Sequence, residues 1–223
     1  MGASRGIGKA LVHHLAQQSD VHIIALARNE AKMKVDFADL ANVSVHAIDL
    51  NLKQVRTTLT DILEAYPSVD YYINNAGLLV NKPFLELTEE DIAQAYQVNT
   101  LSSFASIQAV LPKMIEQGGH IVNISSMGGF QGSMKFAGLS AYSTSKAALV
   151  SLTELLAEEY KETNVKINCL CLGAVQTEML EEAFPGYQAP LSAAKMAEYI
   201  ADFTLHQHQW INGKVIPVSL STP

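Results

Sequence analysis

Gly2-Ala-Ser-Arg-Gly6-Ile-Gly8 stands directly before the segment 9–18, in which Leu11 and Leu15 continue a helical spacing that begins at Ile7. The glycines therefore precede the N-terminus of a helix. Backbone N–H groups and the helix dipole at such a terminus attract a phosphate or pyrophosphate group. Many loops contain a turn of this kind, so its position in the chain decides what it indicates.

An alternation of strand and helix patterns follows this turn along the whole chain. Short segments rich in Val and Ile, bounded by polar residues or Gly, are typical of strands. The predicted strands are Val21–Ala27, Val43–Ile48, Val69–Asn74, His120–Ser125, Val165–Cys171 and Lys214–Ser219. Their continuous apolarity indicates burial on both faces, as in a parallel sheet with helices on each side. We therefore predict a doubly wound, Rossmann-like α/β fold.

Composition fits one compact domain over residues 1–223, with 48% hydrophobic residues and a net charge of −7. The acidic balance, without a Lys/Arg cluster, argues against nucleic acid or a membrane surface as partner. No segment has the run of about 18 apolar residues that spans a bilayer, and no signal peptide pattern is present, so we expect a cytoplasmic protein. Cys169 and Cys171 are predicted to be buried thiols, and no metal site is expected, including at His206 and His208.

Two predicted irregular stretches, 128–140 and 178–190, follow strands at positions where this fold class places its ligand loops. Both stretches contain Gly and apolar side chains. These side chains either line a substrate pocket or pack as core beneath the loops. They are Met127, Phe130, Met134, Phe136, Met179, Leu180, Phe184 and Tyr187.

The end of the predicted strand Val21–Ala27, which corresponds to the second strand of a dinucleotide-binding domain, bears on the choice between NAD(H) and NADP(H). A NAD-specific domain carries an acidic residue there, whereas this chain has Ala27 followed by Arg28, and Arg5 lies within the glycine loop. Because Arg binds phosphate in a bidentate manner, both residues are predicted to favour the 2′-phosphate of NADP(H), with NAD(H) still possible. Two solvated arginines are the alternative. Asp49 is expected either to accept from the adenine amino group or to cap the following helix.

Tyr142 and Lys146 occupy positions i and i+4 of Ser140-Ala-Tyr-Ser-Thr-Ser-Lys146, which places a phenol and an ammonium on one helical face. A free phenol has a pKa near 10, and an adjacent cation lowers the pKa by stabilising the phenolate. The pair therefore suits proton transfer near neutral pH, although an ordinary surface pair has the same spacing.

Taken together, these motifs resemble the short-chain dehydrogenase/reductase family, in its single-domain branch, over nearly the whole chain. The resemblance is carried by Gly2–Gly8, Asn74–Gly77, Asn99, Ile124–Ser126, Tyr142-x-x-x-Lys146 and Gly173-x-x-x-Thr177. It implies an NADP(H)-preferring oxidoreductase that transfers a hydride between nicotinamide and a small-molecule carbonyl or secondary alcohol. A nucleotide-binding sensor or scaffold without turnover is the alternative. The identity of the substrate stays open.

The resemblance also implies roles for individual residues. Ser126 orients the substrate, Tyr142 donates the proton, Lys146 clamps the nicotinamide ribose and stabilises the phenolate, and Asn99 anchors a water that relays protons. The implied cofactor contacts, besides Tyr142 and Lys146, are Gly2, Ser4, Arg5, Gly6, Ile7, Gly8, Arg28, Asp49, Leu50, Asn75, Ala76, Gly77, Gly173, Val175 and Thr177. A homodimer or homotetramer built from helices Asp91–Ile115 and Ala141–Tyr160 is implied as well.

Local patterns bear on the helix that carries Asn99. Thr88 is a plausible N-cap followed by an acidic first turn, and Asn99 lies on the same helical face as Ile92 and Tyr96. A buried Asn needs hydrogen-bond partners, which are either a water and Lys146 or the neighbouring backbone.

Three departures from the family pattern are visible. Leu172 stands where a proline usually precedes Gly173, which is expected to loosen that turn. The separation between Ser126 and Tyr142 is long, so either the loop 128–140 bulges over the pocket or the serine is off by one. Met1 stands where the family has the residue before the first glycine, so the central first strand is missing. We expect a longer reading frame to encode that strand, and the 223-residue chain alone to aggregate or bind NADPH poorly.

Overall fold

Every pair of strands in this protein is parallel. The computed structural model describes residues 1–220. Its strands are β1 (Ile23–Ala27), β2 (Val43–Ala47), β3 (Tyr71–Asn74), β4 (Gly119–Ser126), β5 (Val165–Leu172), β6 (Val175–Gln176), β7 (Leu191–Ser192) and β8 (Val215–Val218). β1 pairs with β2, β6 pairs with β7, and β3, β4, β5 and β8 form a four-stranded sheet in that order. The six predicted strands are confirmed, with ends within two residues of those expected.

Helices cover both faces of the four-stranded sheet, which confirms the doubly wound arrangement. They are α1 (Gly6–Leu15), α2 (Glu30–Asp36), α3 (Val55–Leu63), α4 (Glu89–Tyr96), α5 (Ser102–Val110), α6 (Ser140–Glu159), α7 (Glu178–Ala183) and α8 (Ala193–His206). On one face, Leu11 of α1 and Ile200 of α8 pack against the strands. On the other face, α3, α5 and α6 contribute Leu59, Ile107 and Leu149 to a second core.

The helix expected over Asp91–Ile115 is instead two helices, α4 and α5, joined by a π-helical turn at Gln97–Leu101. α4 begins as predicted, because Thr88 Oγ1 accepts from the Asp91 N–H at 3.1 Å and the Asp91 carboxylate accepts from the Thr88 N–H at 3.0 Å. The π turn contains Asn99. Turns of this kind are found frequently at functional sites.

The prediction that residues 178–190 are irregular throughout is wrong, because Glu178–Ala183 forms the helix α7. Thr177 Oγ1 caps this helix by accepting from the Leu180 N–H at 3.3 Å. Glu178 adds a negative charge to the first turn, where it interacts favourably with the helix dipole. The stretch after β6 therefore starts as an ordered element.

Within residues 1–220, no strand lies between β1 and β3. The backbone nitrogen of Met1 donates to Ile73 O at 3.0 Å, and that of Gly2 donates to Leu26 O at 2.8 Å. We call this junction, formed by Met1, Gly2, Leu26 and Ile73, the seam. β1 also contributes to a separate small core, which Ala25 shares with the helices α1 and α2.

Other features named from the sequence occupy ordinary positions. Cys169 and Cys171 are free and buried on β5, where they pack with Met127, as predicted. In the part of the chain that the structure describes, no group of three or more His, Cys, Asp or Glu side chains is placed to hold a metal ion. None of the helices in residues 1–220 combines the length and the apolarity needed to cross a membrane.

Candidate active site

A cleft of about 800 Å³ opens at the carboxyl ends of strands β1 to β5. In parallel α/β folds, ligands bind at this edge of the sheet. The cleft is lined by most of the residues that the sequence singled out: Gly2, Ser4, Arg5, Gly6, Ile7, Arg28, Asp49, Leu50, Asn75, Ala76, Gly77, Ser126, Tyr142, Lys146, Gly173, Val175 and Thr177. Gly8 and Asn99 lie behind this surface and support it.

At one end of the cleft, Gly8 allows α1 to approach the glycine loop closely. A Cβ at Gly8 would lie 2.0 Å from Gly2 O and 2.7 Å from Asn75 Nδ2. Asn75 Nδ2 donates to Gly2 O at 3.3 Å and so helps to hold the loop. Arg5, at the N-cap position of α1, makes no side-chain cap within the described residues. The first N–H groups of α1 are therefore available, and this cradle fits the pyrophosphate of a dinucleotide.

The two arginines predicted to share one phosphate have different surroundings. The Arg5 guanidinium forms an ion pair with Glu182 of α7. The Arg28 side chain follows β1 at the rim of the cleft and makes no hydrogen bond or ion pair with any residue in 1–220. The structure thus leaves Arg28 free and ties Arg5 to the helix α7.

Asp49 lies just beyond β2 and lines the cleft. Its Oδ1 accepts from the N–H of Asn51 at 3.0 Å and from the Asn51 side chain at 3.2 Å. The N-cap position of α3 is Gln54. The alternative that Asp49 caps the following helix is therefore wrong, because its side chain closes a tight turn within three residues instead.

At the other end of the cleft, Ser126 and Tyr142 both line the surface, and the Ser126 hydroxyl lies near enough to the phenol to influence its pKa. Ser126 ends β4, and Tyr142 lies in the first turn of α6. The Ser125 hydroxyl instead donates to Lys146 O at 2.9 Å. Ser126 is therefore the serine that faces the phenol. The long separation between them forms a loop whose Met134 and Phe136 line the cleft.

Lys146 is buried, with 3% of its surface exposed, and its Nζ donates to Ile124 O at 2.9 Å. Burial lowers the pKa of Lys146 to about 8. A Cβ at Gly77 would lie 3.3 Å from Lys146 Nζ and 3.4 Å from Asn99 Oδ1. The ammonium and the amide oxygen therefore face the same small space beside Gly77.

Asn99 is almost fully buried and makes three hydrogen bonds. Its Oδ1 accepts from the Leu78 N–H at 2.8 Å, and its Nδ2 donates to Leu78 O and Ser145 Oγ, each at 2.9 Å. The backbone of Leu78 thus supplies two of the partners of this amide. Hydrogen bonding to backbone was one of the two alternatives expected from the sequence. One lone pair of Oδ1 stays open toward Gly77.

The phenol of Tyr142 differs from the sequence expectation in its acidity. Burial raises the pKa of Tyr142, and the Ser126 hydroxyl offsets only part of this effect. The cost of removing a phenolate from water is the largest of the effects on this pKa. Tyr142 is therefore fully protonated near neutral pH in this arrangement.

Polar contacts hold the loops around the apolar end of the cleft. Lys135 Nζ donates to Gly128 O at 3.1 Å, which fixes the loop after β4. Asn81 Nδ2 donates to Ala183 O at 2.9 Å, which fixes the end of α7. Among the apolar residues that the sequence assigned either to the pocket or to the core, Phe130 packs against the core around the two cysteines. The cleft itself is lined by Met127, Met134, Phe136, Met179, Leu180, Phe184 and Tyr187.

Sequence reasoning missed one charged residue beside the glycine loop. Lys32 of α2 donates from Nζ to Ser4 O at 3.0 Å. The available signal was Asn29, a residue type favoured at N-caps, which predicts a helix from Glu30 with Lys32 in its first turn.

Known proteins are similar to this chain over most of its length. A family model described as short chain dehydrogenase matches residues 1–188. The 3-oxoacyl-(acyl-carrier-protein) reductase FabG of Aquifex aeolicus is 33% identical over 234 residues, covering 98% of this chain and 93% of that protein. Carbonyl reductase family member 4 of Xenopus tropicalis is 32% identical over 227 residues, covering 97% and 93%. The solved structure of a short chain dehydrogenase from Escherichia coli CFT073 complexed with NADPH has a TM-score of 0.87 and 27% identity, covering 97% and 93%.

Proposed function

This chain belongs to the short-chain dehydrogenase/reductase family of NAD(P)-dependent oxidoreductases, and on that basis we propose that it reduces a carbonyl, or oxidises a secondary alcohol, with a preference for NADP(H). One observation carries the proposal. Ser126 and Tyr142 line the same cleft as a glycine cradle that precedes a helix N-terminus. A cleft that joins these two features at the carboxyl ends of parallel strands suits a dinucleotide.

The residues of the cleft fit the cofactor from end to end. The loop Gly2–Gly8 holds the pyrophosphate, since Gly8 leaves room for α1 to approach. Arg28 binds the 2′-phosphate, Lys146 holds the nicotinamide ribose, and Val175 and Thr177 hold the carboxamide. When bound, NADP(H) supplies or accepts the hydride. The preference for NADP(H) is supported by the free Arg28 guanidinium and by the relative crystallised with NADPH.

Three side chains bind the substrate oxygen and transfer its proton. In the reducing direction, Ser126 donates a hydrogen bond to the carbonyl oxygen, which positions the carbon for attack by a hydride. Tyr142 then gives its proton to that oxygen, so the C=O bond becomes a CH–OH group. Lys146 stabilises the phenolate left behind, which is needed because burial raises the pKa of Tyr142.

The proton returns to Tyr142 from the space beside Gly77. Lys146 Nζ and Asn99 Oδ1 both face this space, and Oδ1 retains an open lone pair. A water held there by Asn99 relays the proton to Lys146 and then to the phenol.

The lining of the cleft favours a substrate with an apolar body. Phe136, Met179 and Phe184 line the cleft. Glu178 lines it as well, with its carboxylate near Gly6 of the glycine loop, and Glu181 and Glu182 follow on α7. This acidic helix disfavours a substrate delivered on an acidic carrier protein, because like charges repel at a docking surface. Uncharged ketones, aldehydes and quinones are the first compounds to test.

We also propose a homodimer or homotetramer. Four apolar side chains on α4, the π turn, α5 and α6 are between 40% and 65% exposed: Ile92, Leu101, Phe104 and Leu155. Apolar surface of this kind marks protein–protein contacts. Sedimentation of the Phe104→Glu protein should show a monomer. Val35→Glu, at a residue of α2 that is 78% exposed, is the control that should leave the assembly unchanged.

The decisive experiment is NADPH oxidation, followed by absorbance, against a panel of aldehydes, ketones, quinones and acyl thioesters. Tyr142→Phe should lower activity by at least about 100-fold while NADPH affinity stays unchanged, since the phenol acts on the substrate oxygen. Tyr160→Phe, just beyond the far end of the same helix, is the matched control and should keep full activity. NADPH binding without turnover of any compound would instead support the sensor or scaffold alternative.

A further inference from the structure

Lys32 is held beside the glycine loop by the start of α2. Asn29 caps this helix, its Oδ1 accepting from the Lys32 N–H at 2.9 Å. The cap fixes the first turn, so the Lys32 side chain reaches back toward the loop and Nζ donates to Ser4 O at 3.0 Å. Arg28 lies four residues earlier at the end of β1. The Lys32 ammonium thus contacts Ser4 of the glycine loop, and the Arg28 guanidinium belongs to a residue that lines the same cleft as Ser4.

The charges around Lys32 leave it able to exchange partners. Asp36 Oδ2 accepts from Lys32 Nζ at 2.6 Å, and Asp36 Oδ1 lies 2.9 Å from Lys9 Nζ. Two ammonium groups therefore share one carboxylate, and together they lower the pKa of Asp36. If Lys32 turns to another anion, Asp36 keeps Lys9 as its partner. Glu30, the other carboxylate of α2, is paired with Lys34.

The group around Lys32 therefore has a surplus of positive charge. Lys32 and Lys9 share one carboxylate, Asp36, Arg28 has no acidic partner within residues 1–220, and Arg5 is paired with Glu182. A doubly charged phosphate group matches this surplus, and charge-assisted hydrogen bonds from Lys and Arg are the usual way proteins hold one.

We propose that Lys32 binds the 2′-phosphate of NADP(H) together with Arg28 and the Ser4 hydroxyl, and that it takes the place which sequence reasoning gave to Arg5. This inference rests on the proposed function, because it assigns a further residue to the preference for NADP(H). Lys32 exchanges Asp36 for the phosphate on binding, and Arg5 stays with α7.

Calorimetric titration with 2′,5′-ADP and 5′-AMP tests the assignment without catalysis. Lys32→Gln should weaken 2′,5′-ADP by about tenfold, the loss of one charge-assisted hydrogen bond, and leave 5′-AMP within about twofold. Lys32→Arg should restore most of the lost affinity, since it keeps the charge. Lys34→Gln, on the same helix but paired with Glu30, is the matched control and should change neither affinity.

The outcomes separate this inference from the proposed function. If wild-type protein binds 2′,5′-ADP no more tightly than 5′-AMP, the preference for NADP(H) is wrong, and the role of Lys32 falls with it. If wild type discriminates and Lys32→Gln leaves 2′,5′-ADP unaffected, only the Lys32 assignment is wrong. Equal weakening of both ligands also overturns it, because Lys32 then supports the glycine loop through Ser4 O without contacting the phosphate.

Discussion

Replacing Lys146 with Met is expected to stabilise the fold while abolishing turnover. Burial lowers the pKa of Lys146 to about 8 from an ordinary value of 10.5. At pH 7 the side chain is charged in both states, and a shift of this size corresponds to a cost of about 3 kcal/mol in the folded state. Met has a similar length and no charge. It gives up the hydrogen bond to Ile124 O, worth about 1 kcal/mol, so we expect a net gain of about 2 kcal/mol.

The pH dependence identifies the cause of this gain. Because the folded pKa lies below the unfolded one, the unfolded state binds more protons between pH 8 and 10.5, and wild-type stability rises with pH across that window. At pH 9.5 the cost of the charge falls to about 1 kcal/mol, and the advantage of Lys146→Met should nearly vanish. Equilibrium urea unfolding at both pH values, followed by circular dichroism, measures the difference.

Lys113→Met provides the control for this experiment. Lys113 Nζ also donates to a carbonyl, Tyr66 O at 2.8 Å, but the residue is only partly buried. Its loss should cost about 1 kcal/mol with no compensating gain. The reasoning is refuted if Lys146→Met is less stable than wild type at pH 7, or if its advantage is as large at pH 9.5 as at pH 7.

Three further predictions concern other parts of the molecule. Burial lowers the pKa of His120 to about 4, so the unfolded state gains a proton first as the pH falls below about 6.5. Wild type should therefore lose about 2 kcal/mol more stability than His120→Gln between pH 7.5 and pH 5 in urea unfolding, and an equal loss in both proteins would contradict this prediction. Gly8→Ala should abolish NADPH binding in titrations, because the new Cβ would lie 2.0 Å from Gly2 O; micromolar affinity in this variant would contradict the cradle. Thr88→Ala removes the cap of α4 and should cost about 1 kcal/mol in thermal unfolding, and an unchanged melting temperature would count against the cap.

The sequence predicted the strands well because their apolar runs reflect burial on both faces. Helical spacing predicted that Tyr142 and Lys146 share one face of a helix, whereas Ser126 was expected beside them only through the family resemblance. The π turn at Asn99 carried no such signal. The π turn occurs where Asn99 forms two hydrogen bonds with Leu78, which lies 21 residues earlier in the chain.

Long-range charge pairs were beyond sequence reasoning. Arg5 and Glu182 are 177 residues apart, and only the folded chain shows that they meet. The acidity of Tyr142 was misjudged because helical spacing does not reveal the desolvation that raises its pKa. The helix α7 was missed although its signal was present, since Thr177 before Glu178 is a capping pattern.

The seam joins the glycine loop to two different strands. The backbone nitrogen of Met1 donates to Ile73 O, next to the end of β3, and that of Gly2 donates to Leu26 O of β1. The same loop is the proposed pyrophosphate site, so a bound dinucleotide would stabilise both contacts. Proteins open in cooperative units, so NADPH should raise the hydrogen-exchange protection of the amides around the seam more than that of the amides in β4 and β5, which pair over eight residues.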